Sequence, residues 1–347
     1  MKALIKHECS NLSMFFVTFI TFACLTGLKA LQRMQDFQAN YLNGILDEPE
    51  FQRHFGNLLR EMQFIIIIPI IIMVYFQFKE IKDANVSDFI LSLPFTAKKI
   101  IISKMLIGIA ILILNGVIIG LFFVGINIHS ASMLEHVREI SPVGKIFAGY
   151  TDFSMLAMTI KYILDMIFIY LVFVAGQFLV KKLGAGIVLT CMGMIAVPYL
   201  GVPLVYMAGL FGVIDRVTNI FFLGDMSTVM SIHNSQGELL RARMYDYNVG
   251  INDLLITGLC VLTVMLILYL VNKVGFTRFI YFTCSKTIDK ILIIATGICS
   301  SVLPFYYYYW GGRGFIVALL LPVGLILGII GMLIMSRIIQ KDLDTEK

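Results

Sequence analysis

The sequence predicts an all-α integral membrane protein with about eight transmembrane helices. Three observations predict this fold class: an excess of apolar residues, their arrangement in long runs, and the placement of Lys and Arg between those runs. Of the 347 residues, 59% are hydrophobic and 14% are charged. In a typical soluble domain roughly 45–50% of the residues are apolar and about 25% are charged. So few charged residues cannot cover a water-soluble protein of this length, and lipid must therefore cover much of the surface.

The apolar runs set the number of spans. A hydrocarbon core about 30 Å thick requires roughly 20 apolar residues in a helix. The segments that meet or approach this length lie at about Met14–Leu31, Phe64–Phe78, Met105–Ile126, Tyr162–Val180, Ile187–Ile214, Leu254–Val271, Leu292–Tyr309 and Phe315–Ile338. The second is short and extends upstream through Met62 and Gln63, and Pro69 kinks it without excluding a span. The fifth is long and contains two prolines, so a span with a re-entrant hairpin and a single tilted, kinked helix fit it equally.

The basic residues set the orientation. Cytoplasmic loops of membrane proteins carry an excess of Lys and Arg close to the spans. With the N-terminus inside, the loops containing Lys181–Lys182 and the Lys79–Lys104 stretch are cytoplasmic, and so is the C-terminus. The longer segments 32–61, 127–161 and 215–253 are then external. Their mixture of charged and apolar residues predicts short helices that lie on the outer surface.

Residues 1–12 precede the first apolar run, and no small-residue cleavage site ends that run. On a helix, one face of this segment and the start of the run is apolar, formed by Ile5, Cys9, Leu12 and Phe16. The pattern predicts a retained helix at the membrane interface, with a frayed polar tail as the alternative.

Several function classes are disfavoured. The formal net charge of +5 comes from Lys and Arg spread between apolar segments, with no basic tract interleaved with aromatics, so no nucleic-acid partner is expected. The six cysteines form no CxxC pair and the five histidines no HExxH motif, so no metal site is predicted. No GxxxxGK[ST] phosphate loop exists, since Gly144-Lys145 is followed by Ile146. The sequence predicts no catalytic site and no directly bound cofactor.

The functional signal lies between the second and third spans, in residues 79–104. Within this region one stripe follows the i, i+3, i+4, i+7 pattern of an amphipathic helix, formed by Val86, Phe89, Ile90 and Leu93. Asp83 or Asn85 caps the helix and Pro94 ends it. The stripe either lies on the bilayer or docks in a groove of a soluble partner, and the pattern alone slightly favours the bilayer.

A second helix is expected to begin near Thr96 and to continue into the third span. It places Lys98 and Lys99 in its first turn, where each opposes the helix macrodipole by roughly 0.3–1 kcal/mol. Binding to anionic headgroups is a sufficient reason for both lysines.

The run from Phe89 to Ile100, FILSLPFTAKKI, followed by Ser103-Lys104, resembles the coupling-helix region of type-2 ABC exporter permeases. In that family a leucine-rich LLSLP stretch precedes a small basic cluster and a Lys at the head of the third span. An upstream acidic residue of the family corresponds to Glu80, and the family usually carries an Arg near Lys98. The last two predicted spans are similar to those of a subgroup of larger bacterial permeases.

This resemblance implies a multi-pass permease subunit of an ATP-driven exporter in the bacterial plasma membrane. It implies pairing with a second permease, identical or related, and with two copies of an ABC ATP-binding subunit that holds ATP and Mg. The residues implied to dock on the ATPase are Glu80, Val86, Phe89, Ile90, Leu93, Pro94, Lys98 and Lys99. The external loops and apolar interior suit an amphipathic peptide, a lipid or a hydrophobic drug as substrate.

Three polar residues within the spans, Asn115, Asp165 and Gln177, are further candidates. A charge in a span is a functional candidate by default. Lys161 and Asp165 are spaced for an i,i+4 ion pair, and Lys161 is expected to snorkel to the interface. Asn115 and Gln177 are expected to bond neighbouring helices.

Two other functions remain open. An ion-coupled secondary transporter is expected to show intramembrane carboxylates or broken helices in matched halves, and beyond Asp165 the spans carry almost none. A membrane scaffold or sensor without transport is the third interpretation, and the presence of a neighbouring ATPase gene distinguishes it from the first.

Overall fold

The computed structural model describes residues 2–42, 48–82, 95–140, 150–207, 229–233, 239–244, 249–274, 282–311 and 317–344. The helices are α1 (Lys2–Asn11), α2 (Ser13–Leu42), α3 (Glu48–Lys82), α4 (Ala97–Ile140), α5 (Tyr150–Leu179), α6 (Leu183–Met207), α7 (Val249–Val274), α8 (Lys286–Gly311) and α9 (Val317–Asp344). The two strands are β1 (Val229–His233) and β2 (Leu239–Met244).

Within the described residues, seven helices are long and apolar enough to cross a membrane. They are α2, α3, α4, α5, α7, α8 and α9, and each contains all or most of one predicted span. The chain is therefore a multi-pass membrane protein, as the composition predicted. The remaining predicted segment, Ile187–Ile214, falls largely on α6, whose apolar stretch Leu183–Ala196 is shorter than the others. Helix α6 is continuous to Met207, and residues 208–214 lie outside the described part of the chain.

The outer faces of the spanning helices also fit a lipid environment. Large apolar side chains stay exposed there, including Val17 (66%), Leu121 (66%), Leu262 (62%) and Leu325 (66%). Exposing apolar surface to water costs about 25 cal/mol per Å² relative to burying it, whereas contact with lipid tails carries no such cost.

Several helices are longer than a bilayer requires. Helix α4 has 44 residues, which at about 1.5 Å per residue is about 66 Å, twice the hydrocarbon thickness of about 30 Å. Helix α2 has 30 residues and α3 has 35. The described parts of the predicted external segments 32–61 and 127–161 therefore continue the long helices, and the prediction of separate short surface helices is wrong there.

These continuations bury an apolar stripe of their own. On α2, Ala30, Met34 and Phe37 are buried at i, i+4 and i+7. On α3, Phe55, Leu58, Leu59 and Met62 follow the same helical spacing and are buried as well. Arg33 Nη2 of α2 donates to both carboxylate oxygens of Glu61 on α3 at 2.9 Å, which adds an ion pair between the two helices.

The third predicted external segment, 215–253, contains the two strands. β1 and β2 form an antiparallel hairpin in which Val229 lies opposite Met244 and Ile232 opposite Arg241. The regular secondary structure of the described residues is thus helical apart from this hairpin and one isolated bridge, where the sequence predicted helices alone.

The chain divides into two compact units, each assembled from separate stretches of sequence. Unit 1 comprises Met1–Met73, Lys99–Leu171 and Val217–Leu262. Unit 2 comprises Val74–Lys98, Val172–Arg216 and Thr263–Lys347.

In unit 1, α4 and α5 approach closely because glycines lie at their contact. A Cβ on Gly116 would overlap the Ile163 side chain, and one on Gly108 would overlap the ring and hydroxyl of Tyr170. Helices α3 and α4 of the same unit meet through buried aromatic rings, since those of Phe55 and Phe123 lie edge to face with centroids 5.5 Å apart.

In unit 2, α8 and α9 pack through small residues. A Cβ on Gly328 would lie 3.1 Å from the Gly297 carbonyl oxygen, and one on Gly331 would overlap the Ser300 side chain. Small residues of this kind let two backbones approach, which is the usual source of helix association in lipid.

The glycine contact between α4 and α5 predicts the effect of a substitution. Gly116→Leu is expected to lower the melting temperature of the purified protein by several degrees, because overpacking costs about 1–3 kcal/mol. Gly125→Leu is the matched control, since Gly125 lies on the same helix with open space around its Cβ position. The melting temperature of each variant is measured by following the loss of its monodisperse peak as the protein is heated in detergent. Equal melting temperatures for the two variants would contradict the described packing.

Candidate functional site

The region implied by the resemblance joins α3 to α4. Helix α4 begins at Ala97, close to the predicted start near Thr96. Lys98 and Lys99 are exposed in its first turn, and Glu80 is partly buried in the last turn of α3. The predicted amphipathic helix itself, with Val86, Phe89, Ile90, Leu93 and Pro94, lies outside the described residues, and its docking role stays a prediction.

The end of α3 that leads into this region is held in unit 2. Phe78 is fully buried and meets Phe178 edge to face with ring centroids 5.6 Å apart. One turn further on, the Lys82 ammonium donates to the Val180 carbonyl oxygen at 2.7 Å. The last turn of α3 therefore contacts the end of α5 through an aromatic pair and a charge-assisted hydrogen bond.

The segment that precedes α8 contacts the same residues at the end of α5. Val180 and Thr283 form an antiparallel bridge, in which Lys181 N donates to Phe282 O at 3.1 Å and Cys284 N donates to Leu179 O at 2.9 Å. Ser285 caps α8, because its Oγ accepts from the Ile288 N–H at 3.3 Å. The segment before α8 thus pairs through its main chain with residues 179–181, the same stretch that the Lys82 side chain contacts.

The start of α4 is held in unit 1 by a different contact. The Lys104 ammonium lies 2.6 Å from Glu8 Oε1, with side-chain exposures of 3% and 7%. Glu8 belongs to α1, so a buried ion pair joins the N-terminal helix to the second turn of α4.

This pair was not predicted, although the sequence contained a signal for it. Glu8 lies three residues after Ile5 and four before Leu12, and therefore on the apolar face assigned to α1. Lys104 stands directly before the apolar run of the third span. A charge in apolar surroundings requires a partner of opposite sign, and Glu8 and Lys104 meet this requirement for each other.

Asn115 bonds neighbouring helices, as predicted. Its Nδ2 donates to the Phe19 carbonyl oxygen of α2 at 2.9 Å, and its Oδ1 accepts from the Tyr162 hydroxyl of α5 at 3.2 Å. Asn115 and Tyr162 are buried, with exposures of at most 1%. The amide therefore joins three helices of unit 1.

Asp165 and Lys161 form the predicted i,i+4 ion pair on α5. The expectation that Lys161 snorkels is wrong, because its side chain is completely buried. The second carboxylate oxygen of Asp165 accepts from Gln63 Nε2 of α3 at 2.8 Å. Both oxygens thus have a donor, and this interhelical contact of Gln63 is one that sequence reasoning missed.

Gln177 is also fully buried, in unit 2. Its Nε2 donates to the Phe173 carbonyl oxygen of its own helix at 3.4 Å, a long hydrogen bond. Its amide packs against the first turn of α6, where a Cβ on Gly186 would lie 3.1 Å from Gln177 Oε1. The predicted interhelical hydrogen bond is thus a packing contact in the described residues.

Comparisons of the chain with protein-family models, with curated proteins and with solved structures found no match.

The burial of Lys161 and Asp165 predicts a large effect of breaking their pair. Asp165→Asn keeps the shape of the side chain but removes the carboxylate that pairs with the buried Lys161 ammonium, which is expected to cost about 3–5 kcal/mol. The double variant Lys161→Met with Asp165→Asn leaves neither charge, so its loss of stability should be smaller.

The melting temperatures of the wild type and these two variants, measured in detergent, test this. The wild type is expected to melt highest and Asp165→Asn lowest. A single variant as stable as the wild type would show that Asp165 does not compensate a buried charge.

Proposed function

We propose that the chain is the transmembrane permease subunit of an ATP-driven ABC exporter in the bacterial plasma membrane. ATP and Mg are held by a separate ABC ATP-binding subunit, and the substrate is amphipathic or hydrophobic. The observation that carries the proposal is the run from Phe89 to Ile100, in which a leucine-rich stretch ending in Pro94 precedes Lys98 and Lys99.

The topology around this run supports the proposal. Residues 83–96 join the end of one spanning helix, α3, to the start of another, α4. Lys82 is bonded to Val180 at one end of the segment, and Lys104 to Glu8 beyond the other. A force applied to this segment by an ATPase would reach the end of α5 through Lys82 and helix α1 through Lys104.

The remaining features of the proposal follow from the sequence. The excess of basic residues near the span ends favours a cytoplasmic position for this segment, the N-terminus and the C-terminus, and the proposal keeps the about eight spans that the apolar runs predict. Docking of the apolar stripe in a groove of the ATPase is a known mode of helix recognition. The complete exporter contains two ATPase copies and two permeases, identical or related.

An ion-coupled secondary transporter is the second candidate, and buried Asp165 is the observation that favours it. Intramembrane carboxylates are typical ion sites in such transporters. In this chain, however, both oxygens of Asp165 are engaged by Lys161 and Gln63. A carboxylate neutralised by a buried lysine attracts a cation weakly, so the exporter remains the preferred proposal.

Co-purification tests the proposal directly. The tagged chain is purified in mild detergent from its native host, and the proteins retained with it are identified. A polypeptide with a Walker motif is expected among them, and its ATP hydrolysis should increase when both are placed in lipid. A chain that retains no such polypeptide would contradict the exporter.

Substitutions in the predicted stripe test where the ATPase docks. Phe89→Asp with Leu93→Asp should weaken retention of the ATPase at least about 30-fold, because the two charges placed in an apolar groove are expected to cost about 2 kcal/mol or more together. Ser87→Asp is the control, since it adds the same charge outside the stripe. Undiminished retention and hydrolysis in the double variant, with normal membrane insertion, would show that docking occurs elsewhere.

A further inference from the structure

We infer that the buried ion pair between Glu8 and Lys104 makes helix α1 a positioning element of the coupling region, so that α1 moves together with the start of α4. This inference rests on the proposed function, which it extends from residues 79–104 to the N-terminal helix.

The pair differs from an ordinary surface salt bridge. Its side chains are 3% and 7% exposed, and its ammonium and carboxylate lie 2.6 Å apart. By contrast, the Arg33–Glu61 pair of the same unit has side chains 26% and 55% exposed. Exposed pairs contribute little, whereas removal of one partner of a buried pair leaves a charge with neither water nor a counter-charge. Loss of either partner alone is therefore expected to be costly at this contact.

The carboxylate is also incompletely satisfied. Glu8 Oε1 receives the Lys104 ammonium, while the buried Glu8 Oε2 forms no hydrogen bond within the described residues. A carboxylate accepts several donors, and a half-satisfied buried ion pair stabilises less than an apolar pair of the same size. Stability alone would favour such an apolar pair here, so the charges indicate that this contact specifies a position.

The ion pair lies close to the beginning of α4. Lys104 follows the first residue, Ala97, by about 10 Å along the helix axis. Helix α5 meets α4 at the same level, where the Tyr170 hydroxyl lies 3.5 Å from the Lys104 carbonyl oxygen and its ring packs against Gly108. Glu8, Lys104 and Tyr170 thus bring α1, α4 and α5 together just beyond the segment proposed to dock on the ATPase.

Helix α1 leads into the first span, α2, through the single residue Leu12. Leu12 N donates to Glu8 O at 2.9 Å at the end of α1, and Phe16 N donates to Leu12 O at 3.2 Å at the start of α2, so Leu12 links the two helices. Leu12 is buried at this junction. A displacement of the start of α4 therefore reaches α2 through α1, provided that the ion pair holds.

Charge-reversal variants in the complete complex test the inference, because energetic coupling is shown only by such cycles. The variants are Glu8→Gln, Lys104→Met, the neutral double variant that combines them, and the exchange Glu8→Lys with Lys104→Glu. The control is Arg33→Met with Glu61→Gln, which removes an exposed pair of the same unit. Retained ATPase and the rate of ATP hydrolysis per ATPase are measured in lipid nanodiscs.

The single variants and the neutral double variant are expected to retain the ATPase, but their permease-stimulated hydrolysis should fall about tenfold. A tenfold effect lies within the range that is typical of coupling between two sites. The exchange should restore hydrolysis to within about twofold of the wild type, and the control should hydrolyse as the wild type does. If a single variant does not fold, the neutral double variant and the exchange decide the question, since neither leaves an uncompensated charge.

The outcomes distinguish this inference from the proposed function. A wild-type chain that retains no ATPase overturns both. Stimulated hydrolysis that is the same in the wild type and the neutral double variant overturns the inference alone. An exchange variant as defective as the single variants also overturns it, because the effect would then not come from the attraction between the two charges.

Discussion

The absence of water in the hydrocarbon layer is the constraint on which this structure depends. Every polar group placed there must find its partner within the chain, because none is available from solvent. The main chain meets this requirement by forming long helices. Several polar side chains of unit 1 meet it with one another or with the main chain: Lys161 and Gln63 both donate to Asp165, and Asn115 bonds one helix through its nitrogen and another through its oxygen.

The same constraint explains why polar contacts between helices contribute to helix packing in this protein. Apolar surfaces do not drive helices together in lipid, so close packing and polar contacts decide their association. In unit 1, glycines let α4 and α5 approach, and the Asn115 amide joins α2, α4 and α5 within the apolar interior. In unit 2, the end of α3 and the segment before α8 are both bonded to residues 179–181. Both flanks of the proposed docking segment are therefore attached to other helices, which a segment that transmits motion requires.

The sequence predicted the spanning helices well because the energy of transfer to lipid depends on composition over about 20 residues. Their lengths were predicted less well, because the extensions of α2 and α3 are held by the narrow stripes around Met34 and Leu58 rather than by overall hydropathy. Residue spacing was sufficient for the Lys161–Asp165 pair, whose members lie on one helix. It was insufficient for Gln63 and for Glu8, since contacts between residues about a hundred positions apart depend on which helices become neighbours.

The central claim is that the apolar stripe before Pro94 touches an ATP-binding protein in the cytoplasm. A photoreactive benzophenone amino acid in place of Phe89, irradiated in intact cells, tests this contact most directly. The account predicts a covalent adduct between this chain and a polypeptide that carries a Walker motif. Adducts with lipid alone, or labelling of a cysteine at position 89 by an impermeant reagent added outside the cell, would contradict it.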